Sequence, residues 1–271
     1  MLNILKRNHV NIIGKGEKTI VFGHGLACDQ NIWNMIIPAF ENNYRIVLYD
    51  YVGSGKSDLT AFDPKRYNTM HDYVRDLLEI LEALNMGKVI FVGHSVSAMI
   101  GILASIARPD FFENLILIGS SPRYVNDKPD YYGGFDESDI TELIGMMEMN
   151  FTGWATIAAA AFMNNPDRPF LTEKLIKAYT EENPEAIKNF AEVVFLSDHR
   201  QDLPKVTIPS LIMQCSEDSI VPLETAQYLH KNLKNSTLVV MKATGHYPHL
   251  SSPEETVMLI NDYLASFHPG Q

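Results

Sequence analysis

The sequence predicts an α/β fold in which helices flank a mainly parallel sheet and a helical cap covers the carboxyl ends of the strands. Two patterns along the 271 residues predict it. Short β-branched runs alternate with helical segments, which is typical of parallel strands joined by crossover helices. The stretch 122–204 contains several helical patterns but no good strand. We therefore expect a core domain of residues 1–121 and 205–271 and a helical cap of residues 122–204.

Seven runs are expected to form the strands of the sheet. They span residues 9–13, 19–22, 44–49, 88–92, 114–118, 210–215 and 236–241. Between the third and fourth runs, apolar residues recur at intervals of three and four, which predicts an amphipathic helix that packs on the sheet. Its apolar positions are Met70, Tyr73, Val74, Leu77, Leu78, Leu81 and Leu84.

The last helix is predicted to begin after Ser252. A serine can cap a helix N-terminus, Pro253 suits the first helical position, and Glu254 and Glu255 are favourable in the first turn. This helix and the one at residues 70–84 are explained by packing alone.

The composition indicates which partners and which cellular compartment to expect. The formal net charge is −11, which argues against nucleic acid or an anionic membrane as the main partner because both attract basic surfaces. Cys28 and Cys215 are the two cysteines, far apart in the sequence, which suits a reducing compartment. The chain has no run of 18 apolar residues and no apolar leader. We expect a soluble cytoplasmic protein.

A serine lies at the turn between the fourth strand and the helix that follows it. The run from Val89 to Gly101 reads V-I-F-V-G-H-S-V-S-A-M-I-G, which is a strand, a tight turn and a helix rich in small residues. This pattern is typical of a nucleophile elbow, in which the serine hydroxyl projects above the sheet. Ser95 is therefore the predicted nucleophile. Ser97 replaces the glycine that usually ends the motif, and it is small enough to fit.

A serine nucleophile needs a histidine to take its proton and a carboxylate to orient that histidine. The strand at 210–215 is followed by Asp218, and the strand at 236–241 is followed by His246. The carboxyl ends of parallel strands meet at one edge of a sheet. The order nucleophile, acid and base therefore predicts a catalytic triad of Ser95, Asp218 and His246.

Other acidic residues and histidines compete for these roles. Glu217 is expected to point away from the site, and His249 lies just before a helix start. His24 and His94 adjoin glycines, which favours structural hydrogen bonding of the loops. Asp198 and His199 are interpreted as an exposed or cap-stabilising pair.

Two backbone amides are expected to hold the oxyanion that forms during acyl transfer. One is the N–H of Val96, the residue after the serine. The other is the N–H of Leu26 in the glycine-containing loop after the strand at 19–22, where the side chain would also touch substrate.

Cofactor motifs are incomplete in this sequence. The run Gly53–Ser57 resembles the end of a phosphate-binding loop, but Asp50 stands where the motif needs its first glycine. No G-x-G-x-x-G follows a strand, and no histidine cluster has metal-ligand spacing. We expect no metal and no cofactor.

The cap is expected to roof an apolar pocket, because α/β sheets bind ligands at the carboxyl ends of their strands. Apolar and aromatic residues of the cap are the candidates for its interior. They are Tyr124, Met146, Trp154, Ile157, Ala158, Phe162, Phe195 and Leu196.

Several motifs together resemble a known family. They are H-G-L-A-C-D-Q from His24 with Trp33, D-Y-V-G-S-G from Asp50, the elbow around Ser95, and S-P-R-Y-V-N-D from Ser121. These motifs resemble the RsbQ group of α/β hydrolases, which includes a bacterial regulator of the sigma-B energy-stress response and, as relatives, the strigolactone and karrikin receptors of plants. The similarity extends nearly from end to end.

The resemblance implies an α/β-hydrolase fold with a four-helix cap over a closed, hydrophobic cavity, and the triad named above. It also implies that the bacterial regulator's partner, a PAS-containing PP2C-type phosphatase, is a partner here. The residues expected to bind substrate are Leu26, Tyr124, Trp154, Ala158, Phe195 and Ile220.

Three functions are compatible with these residues. The first is a serine hydrolase of a small hydrophobic ester or lactone that acts as a positive regulator in stress signalling. The second is a general metabolic carboxylesterase without a signalling partner. The third is a binding module without catalysis, which an intact triad disfavours because binding alone does not require a strained elbow in register with a base.

Overall fold

A seven-stranded sheet forms the centre of the computed structural model, which describes residues 3–267. The order of its strands is β1-β3-β2-β4-β5-β6-β7. β1 pairs antiparallel with β3, and the other neighbours are parallel. The strands are β1 (Asn11–Gly14), β2 (Lys18–Gly23), β3 (Tyr44–Leu48), β4 (Val89–His94), β5 (Phe112–Ile118), β6 (Ser210–Glu217) and β7 (Ser236–Thr244). The predicted α/β fold with a mainly parallel sheet is confirmed.

Ten α-helices lie within residues 3–267. They are α1 (Ile4–Arg7), α2 (Met70–Leu84), α3 (Val96–Ala107), α4 (Glu137–Met149), α5 (Phe151–Met163), α6 (Pro169–Thr180), α7 (Pro184–Phe195), α8 (Leu223–Asn232), α9 (Pro248–Ser251) and α10 (Pro253–Phe267). Among these described residues, no helix has the length and hydrophobicity needed to cross a membrane.

The strands that carry the site are buried and end close to it. Every residue of β4 is buried, as expected for a central strand with both faces covered. β6 and β7 extend to Glu217 and Thr244, beyond the predicted ends at 215 and 241, so the residues that follow them leave the sheet directly. The first predicted strand was wrong at its start, because His9 has φ 44° and belongs to the turn after α1.

The two helices predicted from packing are confirmed. α2 begins at Met70 after a capping box in which Thr69 and Asp72 bond each other's backbone N–H groups. It ends at Asn85, which adopts a left-handed conformation with φ 47°. α10 begins at Pro253, as predicted.

Four helices occupy the segment between β5 and β6. α4 to α7 lie there and contact one another in the pairs α4–α5, α5–α6 and α4–α7. The caps come from the sequence: Asn150 and Asn183 accept N–H bonds at the starts of α5 and α7, and Pro169 and Pro184 occupy first helical positions. The segment leaves the sheet at the carboxyl end of β5. We keep the name cap for residues 122–204, whose separation as a subdomain stays a prediction, as does a core reaching residues 1, 2 and 268–271, which lie outside the described residues.

Three predicted interior positions of the cap were wrong. Met146, Ile157 and Leu196 are 43%, 64% and 65% exposed. α5 is apolar or small on most of its circumference, so the residue types do not mark which face is inside. Trp154 and Ala158 occupy the buried face of this helix instead.

Candidate active site

Ser95 has the backbone conformation of a nucleophile elbow. It lies between β4 and α3 with φ 55° and ψ −120°, a conformation that is strained for a residue with a Cβ atom. Its N–H donates to the carbonyl of Ile118 at 2.8 Å, which ties the turn to the end of β5. Ser95 lines a cavity under the cap.

Close backbone approaches explain the small residues around the elbow. A Cβ atom at Gly93 would lie 2.6 Å from the backbone nitrogen of Ala98. A Cβ atom at Gly101 would lie 2.5 Å from the ring of Phe91. Both distances are shorter than van der Waals contact, so the tight turn and the packing of α3 on β4 require glycine at these two positions.

Ser97 fits in place of the usual glycine and also forms hydrogen bonds. Its side chain is buried, its hydroxyl bonds that of Tyr51 at 2.6 Å, and it donates to the carbonyl of His24. Tyr49 extends the network by donating to Tyr51 at 2.9 Å. The first turn of α3 is thereby bonded to the loop that follows β2.

This loop passes directly beside the elbow. A Cβ atom at Gly25 would lie 2.7 Å from Nδ1 of His94 and 3.7 Å from Cβ of Ser95. The next residue, Leu26, lines the cavity. Val96 is the first residue of α3, and the first N–H groups of a helix have no carbonyl partner within it. That the N–H groups of Leu26 and Val96 hold an oxyanion stays a prediction.

His246 and Asp218 form a hydrogen-bonded pair of ionisable side chains in the site. Nδ1 of His246 lies 2.8 Å from Oδ2 of Asp218, and both side chains are buried. Oδ1 of Asp218 accepts the N–H groups of Ile220 at 2.8 Å and Val221 at 3.1 Å. Since an ionised carboxylate only accepts hydrogen bonds, Nδ1 carries the proton and Nε2 of His246 is left free to accept one.

The loop that carries His246 is held by the cap. The N–H of His246 donates to the carbonyl of Phe162 in α5 at 2.7 Å, and the N–H of Gly245 donates to the carbonyl of Glu217 at 2.7 Å. Gly245 has φ 78°, and a Cβ atom there would lie 2.0 Å from the carbonyl oxygen of Met163. The end of α5 therefore packs on the backbone next to this histidine.

Gly119 is a further residue of the site that the sequence reasoning missed. It has φ 58°, and a Cβ atom there would lie 3.0 Å from Cε1 of His246 and 3.6 Å from Oδ2 of Asp218. The sequence carried a usable signal, because this glycine directly follows the strand that neighbours the elbow strand.

His24 and His94 bond the loops of the site, as predicted. His24 donates from Nδ1 to the carbonyl of Gly25 at 2.9 Å and accepts the N–H of Tyr51 at Nε2, 3.2 Å away. His94 donates from Nε2 to the carbonyl of His246 at 2.8 Å. Burial lowers the pKa of both imidazoles, so both are neutral supports for the loop backbone.

None of the remaining competitors lines the cavity that holds Ser95 and His246. Glu217 is exposed. His249 is buried against Trp33, with ring centroids 4.5 Å apart, and burial lowers its pKa to about 3. Asp198 and His199 stabilise the cap, as predicted, each through other partners: Asp198 bonds Arg123 and Arg200, and His199 bonds Asp202 at 3.0 Å. In the part of the chain that the structure describes, no group of three or more His, Cys, Asp or Glu side chains is placed to hold a metal ion.

A small cavity lies above Ser95. Its wall is largely apolar and aromatic. It is lined by Leu26, Ser95, Tyr124, Trp154, Phe162, Tyr179, Val194, Phe195, Ile220, His246 and Tyr247. The structure thus places five of the six predicted substrate residues at the wall, whereas Ala158 is buried in α5 and does not reach it.

Besides Ser95 and His246, four residues of the wall were not among the predicted substrate residues. Phe162 was expected only in the cap interior, and Tyr179, Val194 and Tyr247 were missed. Tyr247 directly follows His246, so its position beside the proposed base could have been inferred. Tyr179 lies in α6, whose apolar pattern gave no sign of which residues meet the cavity.

Tyr124 lines the cavity within hydrogen-bonding reach of Ser95. Burial raises the pKa of its hydroxyl, and a hydrogen bond with Ser95 acts in the opposite direction. The group therefore keeps its proton at neutral pH and can donate a hydrogen bond beside the serine.

Comparison with known proteins agrees with this geometry. Residues 18–253 match the family described as alpha/beta hydrolase fold. The chain belongs to this family.

Relatives of this hydrolase cover nearly its whole length. Strigolactone esterase D14 of Arabidopsis thaliana is 40% identical over 263 residues, with 95% of this chain and 96% of the relative covered. Karrikin insensitive 2 receptor CA of Petunia hybrida is 38% identical over 261 residues, with 96% of each chain covered. A solved hydrolase structure from Oleispira antarctica superposes with a TM-score of 0.94 at 38% identity, covering 97% of this chain and 96% of that one.

These similarities support an esterase-like function for this alpha/beta hydrolase. They also show homology to plant receptor hydrolases, whose names refer to strigolactones and karrikins.

Proposed function

We propose that this hydrolase cleaves a small hydrophobic ester or lactone by acyl transfer to Ser95. The observation that carries the proposal is the bond from Nδ1 of His246 to the buried carboxylate of Asp218, with Ser95 and His246 lining one cavity. This arrangement leaves an unprotonated imidazole nitrogen in the same apolar space as a strained serine. An activated serine nucleophile requires a histidine nitrogen that can accept its proton and a carboxylate that orients the histidine.

In the first half of the reaction, the hydroxyl oxygen of Ser95 attacks the carbonyl carbon, and its proton passes to Nε2 of His246. Asp218 holds the imidazole in the correct tautomer and stabilises the imidazolium. The oxyanion accepts the N–H groups of Val96 and Leu26. Collapse breaks the bond to the alcohol oxygen, which takes the proton from His246, and leaves an acyl ester on Ser95.

In the second half, water attacks the acyl ester with His246 again taking the proton. The new oxyanion collapses, the Ser95 oxygen leaves and regains its proton, and the acid is released. A lactone follows the same steps, except that its alcohol oxygen stays attached to the acyl group.

The walls of the cavity support a hydrophobic substrate. Leu26, Phe195 and Ile220 line it beside the aromatic residues, and an apolar wall gains free energy when it covers apolar substrate surface.

The test is stopped-flow kinetics with intact-mass analysis of the wild type and Ser95→Ala on short activated esters and butenolide lactones. We expect an acyl adduct on the wild type only and a loss of rate on the order of 10⁶ in the variant. Ser105→Ala is the matched control, because Ser105 is a buried serine of α3 whose hydroxyl donates to the carbonyl of Ile102 in the same helix. Hydrolysis that survives in Ser95→Ala would contradict the proposal.

The kinetics also separate a sensor from a metabolic enzyme. A burst followed by slow release favours a hydrolase that signals through its bound or acylated state. Rapid turnover without accumulation favours a general carboxylesterase.

We further propose that the hydrolase belongs to the RsbQ group and acts as a positive regulator in stress signalling with a PAS-containing PP2C-type phosphatase. The support is the resemblance of its motifs around His24, Asp50, Ser95 and Ser121 to that group. Co-purification from the native host under energy stress tests the partnership, and we expect the phosphatase in the complex. Recovery of the hydrolase without a phosphatase, with and without stress, would contradict it.

A further inference from the structure

Two phenols that the mechanism does not use form part of the cavity wall. Tyr179 of α6 and Tyr247 both line the cavity, and their hydroxyl oxygens are 2.5 Å apart. The thiol of Cys28 donates to the hydroxyl oxygen of Tyr247 at 3.9 Å. All three side chains are buried. No sequence pattern predicted this polar group in an apolar pocket.

The hydrogens of this group outnumber its hydrogen bonds. The thiol and the two phenols carry one hydrogen each, and two bonds join them. If Tyr179 donates to Tyr247, the hydrogen of Tyr247 has no acceptor; if Tyr247 donates to Tyr179, the hydrogen of Tyr179 has none. With the thiol as donor to Tyr247, one phenol O–H of the cavity wall is left over in either case.

Neither phenol can lose its unpaired hydrogen by ionising at neutral pH. Burial raises the pKa of both hydroxyls well above the usual value. Within residues 3–267, no other side chain or backbone group bonds either hydroxyl. A buried donor without an acceptor is unfavourable, and both phenols line the cavity.

A second unpaired donor stands beside them. The indole N–H of Trp154 is buried without a partner among the described residues, and Trp154 also lines the cavity. Its ring is stacked on that of Tyr179, with centroids 5.6 Å apart and planes 10° from parallel. We call Trp154, Tyr179 and Tyr247 the donor wall.

We propose that the donor wall binds an oxygen of the substrate other than the carbonyl oxygen that the oxyanion amides hold. The substrate is then an ester or lactone with a second hydrogen-bond acceptor, such as an ether oxygen or another carbonyl, on an otherwise apolar body. This inference rests on the proposed function, and it makes Tyr179 and Tyr247 specificity-determining residues. A purely hydrocarbon ester reacts but leaves a buried donor unpaired.

The test compares nitrophenyl heptanoate with a series of esters in which one methylene of the acyl chain is replaced by oxygen at successive positions. Such replacements keep the chain length and add one acceptor. We expect the wild type to show a higher kcat/KM for at least one oxygen position, relative to heptanoate and after division by the rates of uncatalysed hydrolysis. The double variant Tyr179→Phe/Tyr247→Phe should lose about five- to tenfold of that preference, which is a ratio of two substrates measured on one protein and so does not depend on a general change in activity.

The single variants give a sharper readout. Removing either hydroxyl leaves the other phenol with its own hydrogen and no acceptor, so each single variant should keep part of the preference. The combined loss should exceed the product of the two single losses. Tyr73→Phe is the matched control, because Tyr73 is a buried phenol that does not line the cavity.

A second measurement does not depend on the folding of a variant. Methyl ketones matched to the best oxygen-containing ester and to heptanoate can be titrated into the wild type by calorimetry. We expect the oxygen-containing ketone to bind about fivefold more tightly. Equal affinities, or a kinetic preference unchanged in the double variant, would overturn the donor wall while hydrolysis through Ser95 continues. Loss of the proposed function would look different, because heptanoate itself would not be hydrolysed.

Discussion

Glu182 connects the cap to the core and titrates in an unusual range. It lies between α6 and α7, is 9% exposed, and accepts the N–H of Gly55 in the core at 2.9 Å. Its pKa is raised to about 8, chiefly because burial disfavours the charged form and additionally because Asp29 and Asp50 are near. The carboxyl is therefore protonated in the folded protein at pH values where it is ionised in the unfolded chain.

This difference in protonation determines how the free energy of unfolding depends on pH. Between the ordinary value of 4.5 and about 8, the folded state binds one more proton than the unfolded state, so the free energy of unfolding falls as pH rises. The slope is about 1.4 kcal/mol per pH unit. From pH 5 to pH 9 the loss due to this one carboxyl is on the order of 4 kcal/mol. This loss of stability is complete above the folded-state pKa, and no stability is lost below the unfolded-state pKa.

Glu182→Gln isolates this contribution, because glutamine imitates the protonated acid and can still accept the N–H of Gly55. Urea unfolding of both proteins across this pH range should show the variant gaining stability over the wild type by about 4 kcal/mol as pH rises. Glu181→Gln is the control, since Glu181 is the exposed neighbour. Parallel stability curves for the wild type and Glu182→Gln would refute the reasoning.

Three further predictions concern the site. Asp218→Asn should lower kcat by about 10⁴ in steady-state assays, and a loss below tenfold would show that the carboxylate is not needed. Ser97→Ala removes the hydroxyl bond to the loop after β2 and should lower kcat about tenfold with little change in KM, whereas an unchanged kcat would show that the bond does not position the loop. Gly119→Ala strains a positive φ and crowds His246, so both kcat and the melting temperature should fall. Gly87→Ala, with φ 73° and open space around it, should lose about 1 kcal/mol of stability and keep its kcat; equal kcat values for the two variants would contradict the crowding.

The sequence predicted the sheet and the elbow well because both depend on local signals. The buried strands are short runs of β-branched and aromatic residues, and the tight turn at Ser95 needs small neighbours, which Gly93 provides. Asp218 and His246 could be located because parallel strands end at one edge of the sheet. Those features require no knowledge of which helix faces which.

The cap was harder because its helices are apolar on more than one side. Ile157 was expected inside and is exposed, whereas Val194 and Tyr179 were overlooked and meet the cavity. Whether a helical residue lines the pocket depends on the angle at which its helix crosses the sheet, and no local sequence pattern determines that angle. Gly119 was overlooked for a related reason. A side chain there would crowd His246, which is close in the fold but distant in the sequence.

The bond between the N–H of His246 and the carbonyl of Phe162 has a mechanical consequence. The imidazole of His246 bonds Asp218 of the core, and the backbone N–H of the same residue bonds the last turn of α5. If α5 moved far enough to break this hydrogen bond, the backbone of His246 would lose its bond to the cap. The positions of the cap and of the His246 loop are therefore coupled through a single peptide unit.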